Sequence, residues 1–593
     1  MPSLPQIAGR PINPPKVGVN NYQGFQPNKT EILPKGWNGY NSRPLPCDIL
    51  VEHDVGIKVR DGCTLYCDIY RPNPATSGPE HQKVPALICW SPFGKKLNGL
   101  TFLPMMTPYN IGVPDGRLSG LEKFEAPDPA EFVPRGYAVI NADSRGVGDS
   151  DGMAVIMGTQ EGEDGYDVIE AIAKMDWCTG NVGLAGNSHL AICQWFIAQQ
   201  QPPSLKAIAP WEGCGDLFRE QFVRGGIYAG KFFRLISDKM VQGYHGLEDF
   251  DEMHRRSPLS NAHWEDKRPD MTKIKVPAYI TGTYSNPLHA MGAIRSWLEI
   301  DNPNKWLRFT GIQEWHEIWA DQPSLDELAL FFDRFLKDKH DNGWDQTPRV
   351  RMTTLQFGEQ DPLMNIVVDD FPLPQTEYKQ LYLTSDQSLQ TSPSSSEFTS
   401  YDSRGNTPAV FSFVFKEKTR LMGIPKAVMY MSCNDLDDMD VYVLIRKLDK
   451  DGKPMLSLNI PWHSVPFDKI ADIPRDKLSD LLLYQGPTGI LRASHREIDP
   501  KRSIHPNYPF HPHTREQKIP PGTITKLEIG MWPMGIDYEA GQGLQVQVWG
   551  HNPQMHPHKG LEGSAPNELN RGFHHIHTGL EHPSHIVLPF VPL

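Results

Sequence analysis

Six short runs in the first half of the chain are apolar along their whole length instead of alternating: VPALICW (84–90), YAVINAD (137–143), VGLAG (182–186), LKAIAP (205–210), VPAYITG (276–282) and KWLRF (305–309). A strand with this pattern is buried on both faces, which requires a mostly parallel sheet covered by helices on each side. Helical patterns lie between the runs. The clearest covers Ser324 to Lys337, where Leu325, Leu328, Ala329, Phe332, Phe335 and Leu336 mark one face and Ser324 with Glu327 reads as a capping box. Strand alternating with helix predicts an α/β doubly wound domain.

Residues 211–275, between LKAIAP and VPAYITG, far exceed what a crossover needs, and their patterns (LFREQF, YAGKFFRLISDKMV) are helical. They predict a cap inserted over the strand ends, at about 214–270. After Gly343-Trp344 the period changes to two, in runs such as VFSFVFKE, AVMYMSC, DVYVLIRKL, GLQVQVWG and HIVLPFV separated by Gly, Pro and Asp turns. These predict an all-β domain of jelly-roll, galactose-binding-like type. The expected organisation is an N-terminal arm over 1–46 with no assigned fold, an α/β domain over 47–345 and the β domain over 346–593.

Composition narrows the function. With 58 Lys and Arg against 71 Asp and Glu, the net charge is −13, which disfavours a nucleic-acid scaffold. No run approaches the roughly 18–20 apolar residues of a membrane span, and the start has no basic-then-apolar leader. A cytoplasmic protein without nucleic-acid or membrane partners is expected, and a homo-oligomer is open. The eight cysteines have no framework spacing; Cys63 and Cys67 read as small core residues. His574, His575 and His577 are the densest part of 22 histidines, but carboxylates at ligand spacing are missing, so neither metal nor other cofactor is expected.

The chemistry-bearing segment is NVGLAGNSHLAICQW (181–195), a buried strand running through Gly186-Asn187-Ser188 directly into a helix. That is the setting of a nucleophile elbow, in which small residues at 186 and 191 let the chain turn tightly. Ser188 is the candidate nucleophile. The backbone N–H of His189, at the helix N-terminus, is the candidate oxyanion donor. A base should lie downstream, after the last strands. His316, in GIQEWH (311–316) after KWLRF, is the first candidate and His289, after VPAYITG, the second.

The segments DSRGVGDSDG (143–152), WCTGNVG (177–183), GNSHLA (186–191) and LRASHREIDP (491–500) resemble the cocaine-esterase / X-Pro dipeptidyl-peptidase family of serine hydrolases from about residue 50 onwards. The resemblance implies an α/β-hydrolase domain with a helical cap and a C-terminal jelly roll, together with a role in secondary metabolism. It also exposes two departures. The family's oxyanion tyrosine is replaced within SPFGK (91–95) by Phe93, whose ring cannot donate; Lys95 is a possible substitute. The family's triad aspartate is absent from GTYSN (282–286), leaving Asn286 or Glu212 to orient the histidine.

The expected function is therefore a serine hydrolase that cleaves an ester or amide of a small to medium molecule through an acyl-enzyme on Ser188. Two alternatives stand beside it. One is a lyase, isomerase or cyclase that uses the same pocket with a histidine as acid/base; the other is a non-catalytic binding protein.

Overall fold

The computed structural model describes residues 6–286, 288–393, 397–553 and 570–593. Thirteen strands precede the C-terminal domain: β1 (Gly9–Arg10), β2 (Thr30–Leu33), β3 (Ile49–Lys58), β4 (Thr64–Pro72), β5 (Val84–Ser91), β6 (Ala138–Asp143), β7 (Cys178–Asn187), β8 (Leu205–Trp211), β9 (Leu247–Glu248), β10 (Ala278–Thr283), β11 (Lys305–Thr310), β12 (Val350–Thr354) and β13 (Leu363–Val368). All but β1 and β9 form one 11-stranded sheet, in the order β13-β12-β11-β10-β8-β7-β5-β6-β4-β3-β2. From β6 to β12 neighbouring strands are parallel, and antiparallel strands flank that block on both edges. The continuous apolar runs have the environment they require: every residue of β5, β6 and β10 is buried. Helices Thr159–Ile172, His189–Ala198, Ala290–Glu299 and Gln322–Leu336 follow the strands.

Two boundaries differ from the sequence expectation. The arm is not without structure, because β2 pairs antiparallel with β3 and β1 pairs with β9 in the cap. The sheet also runs past residue 345, since β12 adds in parallel to β11 and β13 closes that edge. Both misses share a cause. Short edge strands carry too few residues to show a period, and pairing with an existing sheet supplies the hydrogen bonds that fix them. The helix expected from Ser324 begins at Gln322 instead; the Asp321 carboxylate accepts from the Ser324 N–H at 3.1 Å and takes the capping role given to Ser324.

The cap lies between β8 and β10 and holds helices Lys231–Met240, Phe250–Arg256 and Ala262–Asp266. Phe222, Phe233, Phe250 and Trp264 stack together within it. Beyond β13 the described residues form β-strands and short 3-10 turns, in one nine-stranded, one four-stranded and one two-stranded sheet whose strand pairs are antiparallel. His574, His575 and His577 lie on one of these strands, Phe573–Thr578, and hydrogen-bond to Tyr401, Ser400 and Ser432 respectively. All eight cysteines are free thiols. Among the described residues, no helix is long and apolar enough to cross a membrane.

The two domains are joined through packed structure. Trp344, at the junction, is fully buried against Tyr279, Trp306 and Phe331, and beyond it the Leu355 N–H donates to the Gly535 carbonyl at 2.8 Å. Replacing Trp344 with Ala is expected to destabilise the protein by about 3–5 kcal/mol, the cost of a large cavity that its neighbours cannot fill. Denaturant unfolding would measure it, and a change under 1 kcal/mol would show that the junction packing is dispensable.

Candidate active site

Ser188 stands between the end of β7 and the first turn of helix His189–Ala198, with φ 56° and ψ −119°. A non-glycine residue with this backbone is strained, and strain of this kind persists only where the surroundings over-determine it. Here the Ser188 N–H is shared between the carbonyls of Trp211 and Glu212, each at 3.1 Å. Gly186 has φ 131°, and a Cβ there would fall 2.6 Å from Cβ of Leu190. A Cβ on Gly213 would fall 3.0 Å from Cβ of Ala191, so the small residues around the turn are required by space.

The hydroxyl of Ser188 meets Nε2 of His289 at 3.1 Å. His289 ends the loop after β10 and precedes helix Ala290–Glu299. Burial pushes its pKa down to about 3, with the neighbouring His189 adding to the effect, so the ring is neutral near pH 7. Its Nδ1 is buried and has no hydrogen-bond partner among the described residues.

His316, the first choice from sequence, is not brought to Ser188. It lies within helix Glu314–Trp319, and its Nδ1 hydrogen-bonds to the Ile111 carbonyl at 3.2 Å. Strand order supplies the reason. From β7 the sheet runs through β8 to β10 and then β11, so the loop after β10 starts about two strand spacings away, roughly 10 Å, and the one after β11 roughly 14 Å. The helix also starts four residues after β11 ends, which turns His316 away before a loop can carry it back.

Neither group proposed to orient the histidine does so. The Asn286 amide donates to both carboxylate oxygens of Glu314, at 3.0 and 2.8 Å, while its Oδ1 accepts from the Leu288 N–H at 2.8 Å. Glu212 faces Glu314 as well. Burial, followed by the like charge of Glu314, raises the Glu212 pKa well above the ordinary range. Burial also raises Glu314, against hydrogen bonds from Glu212 and Asn286 that favour its charged form. Glu212 and Glu314 thus face one another, and Glu314 is tied to Asn286.

Lys95 is no replacement for the missing tyrosine either. Its ammonium is buried in ion pairs with Asp54 at 2.6 Å and Asp143 at 3.2 Å. Phe93 sits edge-on to the His189 ring with centroids 5.4 Å apart, and the His189 Nε2 lies 3.5 Å from Glu161.

One group near the serine escapes the sequence reading. Glu125 is 2% exposed, and its carboxyl lies beside the Ser188 hydroxyl and the His189 N–H. Its Oε1 accepts from Nε1 of Trp315 at 3.2 Å, and its backbone carbonyl accepts from the Asn187 N–H at 3.1 Å. The Glu125 backbone has φ 70°. No local pattern marks this glutamate within KFEAP (123–127); only the fold brings that loop against the elbow.

Above these groups is a cavity of about 290 Å³. Phe93 and Phe124 come from loops of the α/β domain and Trp315 from its helix Glu314–Trp319, Phe233 and Ile236 from the cap, and Leu481 and Ile490 from the C-terminal domain. All three parts of the chain therefore enclose one largely apolar chamber, with Ser188, His289, Glu125, Asn286 and Glu314 as its polar floor.

The comparisons with known proteins follow the same division. Residues 61–245 match the model of the X-Pro dipeptidyl-peptidase (S15 family), and residues 342–587 match that of the X-Pro dipeptidyl-peptidase C-terminal non-catalytic domain. The cocaine esterase of a Rhodococcus species is 23% identical, across 91% of this chain and 98% of its own. A crystal structure of a CocE/NonD family hydrolase from Staphylococcus aureus is 29% identical with a TM-score of 0.79, covering 92% of this chain and 94% of that one. An α-amino acid ester hydrolase shares the fold at 15% identity and a TM-score of 0.63, over the full length of both chains. With a strained serine elbow under a helical cap and both family domains in order, the chain belongs to the cocaine-esterase / X-Pro dipeptidyl-peptidase family of serine hydrolases.

Proposed function

We propose that the protein hydrolyses an ester, or a comparably activated amide, of a small to medium uncharged molecule through an acyl-enzyme on Ser188, with His289 as the proton shuttle. The contact that carries this reading is the 3.1 Å approach of His289 Nε2 to the Ser188 hydroxyl at a strained elbow. In the first half-reaction Ser188 Oγ bonds to the substrate carbonyl carbon while its proton passes to Nε2; that proton then leaves with the departing alcohol or amine. Water repeats the sequence in the second half-reaction and frees the acid.

The chamber favours apolar acyl or leaving groups. Among the carboxyls that line it, Glu125 and Glu314 are raised by burial and Glu220 is pushed up to about 7, which weakens them as counter-charges for a peptide's free amine. The all-β domain is proposed to be wound as a jelly roll, with Leu481 and Ile490 forming its contribution to the substrate wall.

The unpartnered Nδ1 of His289 supports a second reading, in which the fold performs acid/base chemistry without hydrolysis. A triad acid fixes the tautomer and stabilises the imidazolium, and its loss is costly in serine hydrolases. A fluorophosphonate separates the two readings. Labelling that maps to Ser188 and vanishes in Ser188→Ala is the expected result; folded protein that takes no label sinks the acyl-enzyme.

His289→Ala should lower turnover of an activated ester by several orders of magnitude at an unchanged melting temperature. His316→Ala should cost far less, and the reverse ranking would return the shuttle to His316. The pH dependence carries a sign. Because burial lowers the His289 pKa to about 3, the ring stays a competent base well below its ordinary range, and the acid limb of kcat/KM belongs near pH 3. A limb near 6.5 would show that the ring is solvated in the working enzyme.

A further inference from the structure

The oxyanion hole is short of one donor. Phe93 has none to offer in its side chain, its own N–H is directed at the Ser91 hydroxyl at 3.3 Å, and the Lys95 ammonium is bound between Asp54 and Asp143. The His189 N–H alone leaves a developing charge half satisfied, and a single missing donor costs about 10²–10³ in rate in well-studied acyl transfer.

Glu125 occupies the right place to fill that role. It lines the chamber beside Ser188 and His189, is almost fully buried, and is clamped from three sides. Its backbone carbonyl holds the Asn187 N–H, Trp315 Nε1 holds Oε1, and the next residue's carbonyl accepts from Trp319 Nε1 at 2.8 Å. The other oxygen, Oε2, is buried and makes no well-aligned hydrogen bond among the described residues. A backbone φ of 70° on a glutamate is a conformation that the loop must be forced into, which is the kind of strain found where a side chain is aimed for a purpose.

We infer that Glu125, as a neutral carboxylic acid, donates through Oε2 the hydrogen bond to the substrate oxyanion that the family's tyrosine would give. The inference rests on Ser188 being the nucleophile. As Ser188 Oγ bonds to the carbonyl carbon, the C=O π pair moves to oxygen, where the Glu125 O–H and the His189 N–H meet it. The serine proton goes to His289, not to Glu125. When the leaving group departs the π bond re-forms, and the Glu125 proton has never been transferred.

A carboxyl can donate at neutral pH only if it keeps its proton, and the surroundings favour this. The groups facing Glu125 are the Ser188 hydroxyl and His189 N–H from the elbow, the Trp315 indole and Glu314 carboxyl from helix Glu314–Trp319, and the neutral His289 ring beyond the serine. No cation is among those described. Burial first, and then the charge of Glu314, raise the carboxyl well above its ordinary value, against hydrogen bonds that favour the ionised form. The same device, a carboxylic acid kept neutral by an apolar site, serves as an oxyanion donor in ketosteroid isomerase.

The test is a set of Glu125 variants read on an activated p-nitrophenyl ester, with melting temperature as the check on folding. Glu125→Gln keeps a donor of nearly the same shape and should retain a tenth or more of kcat. Glu125→Ala should lose about 10²–10³ in kcat with KM within a few-fold. In the wild type, activity should fall as pH rises through the raised Glu125 pKa, because the donor proton is lost; Glu125→Gln cannot titrate and should lack that limb. If Glu125→Ala fails to fold, the Glu125→Gln pH profile decides alone.

A Glu125→Gln enzyme as dead as Glu125→Ala, while Ser188 still takes fluorophosphonate to completion, would show that an ionised carboxylate is needed, and the inference would be wrong. So would an alanine variant within tenfold of wild type. Wild-type protein that never labels at Ser188 would instead overturn the nucleophile itself.

Discussion

A single strained residue, Ser188, organises the molecule's working half. Its backbone lies outside the ordinary regions at a cost of order 1–3 kcal/mol, and the sheet meets that cost by offering two carbonyls, from Trp211 and Glu212, to one N–H. Those carbonyls sit at the end of β8, so the elbow depends on the parallel pairing of β7 with β8. The glycines at 186 and 213 remove side chains that would collide with the helix that follows. Because the turn is fixed by the sheet, the serine hydroxyl points at one place, and everything that acts on it must be delivered there by loops from neighbouring strands.

What those loops deliver is unusual in its electrostatics. Three buried glutamates lie near the elbow: Glu125 and Glu314 line the chamber with the serine and the neutral histidine, Glu212 faces Glu314, and none of the three forms an ion pair with a cation among the described residues. Burial shifts all three towards the protonated form, and the like charge of Glu314 adds to the shift at Glu125 and Glu212. Elsewhere the protein neutralises its buried acids in the ordinary way, as at Arg145 with Asp164 or Arg308 with Glu317. The contrast sets these carboxyls apart from the structural ion pairs.

The chamber above that floor belongs to no one domain. Cap residues Phe233 and Ile236 and C-terminal residues Leu481 and Ile490 meet over the loops of the α/β sheet. The C-terminal domain is anchored firmly enough to serve as a wall: Gln313 donates its N–H to Asn459 at 2.7 Å, and Arg224 of the cap reaches the Thr488 carbonyl at 2.6 Å. All three parts of the chain therefore line this space, and the packing between domains sets its shape.

The amino-acid sequence determined what depends on local pattern. Fully apolar strands require a two-sided sheet, the Gly186-Asn187-Ser188 turn requires a strand before it and a helix after it, and the change to period two after Trp344 requires a different kind of domain. Four ordered motifs were enough to identify the family. Tertiary structure alone decided the partners of Ser188. A loop histidine has no signature of its own, and whether His289 or His316 reaches the serine depends on the lateral order of β7, β8, β10 and β11, which no single strand encodes. Asn286 and Glu212 were sought as partners for the histidine because they lie near strand ends, yet both turn to Glu314, whose position is set by the helix after β11. Glu125 left no trace in the pattern, because a carboxylate between Phe124 and Ala126 becomes chemically distinct only when the fold buries it beside another carboxylate and away from water.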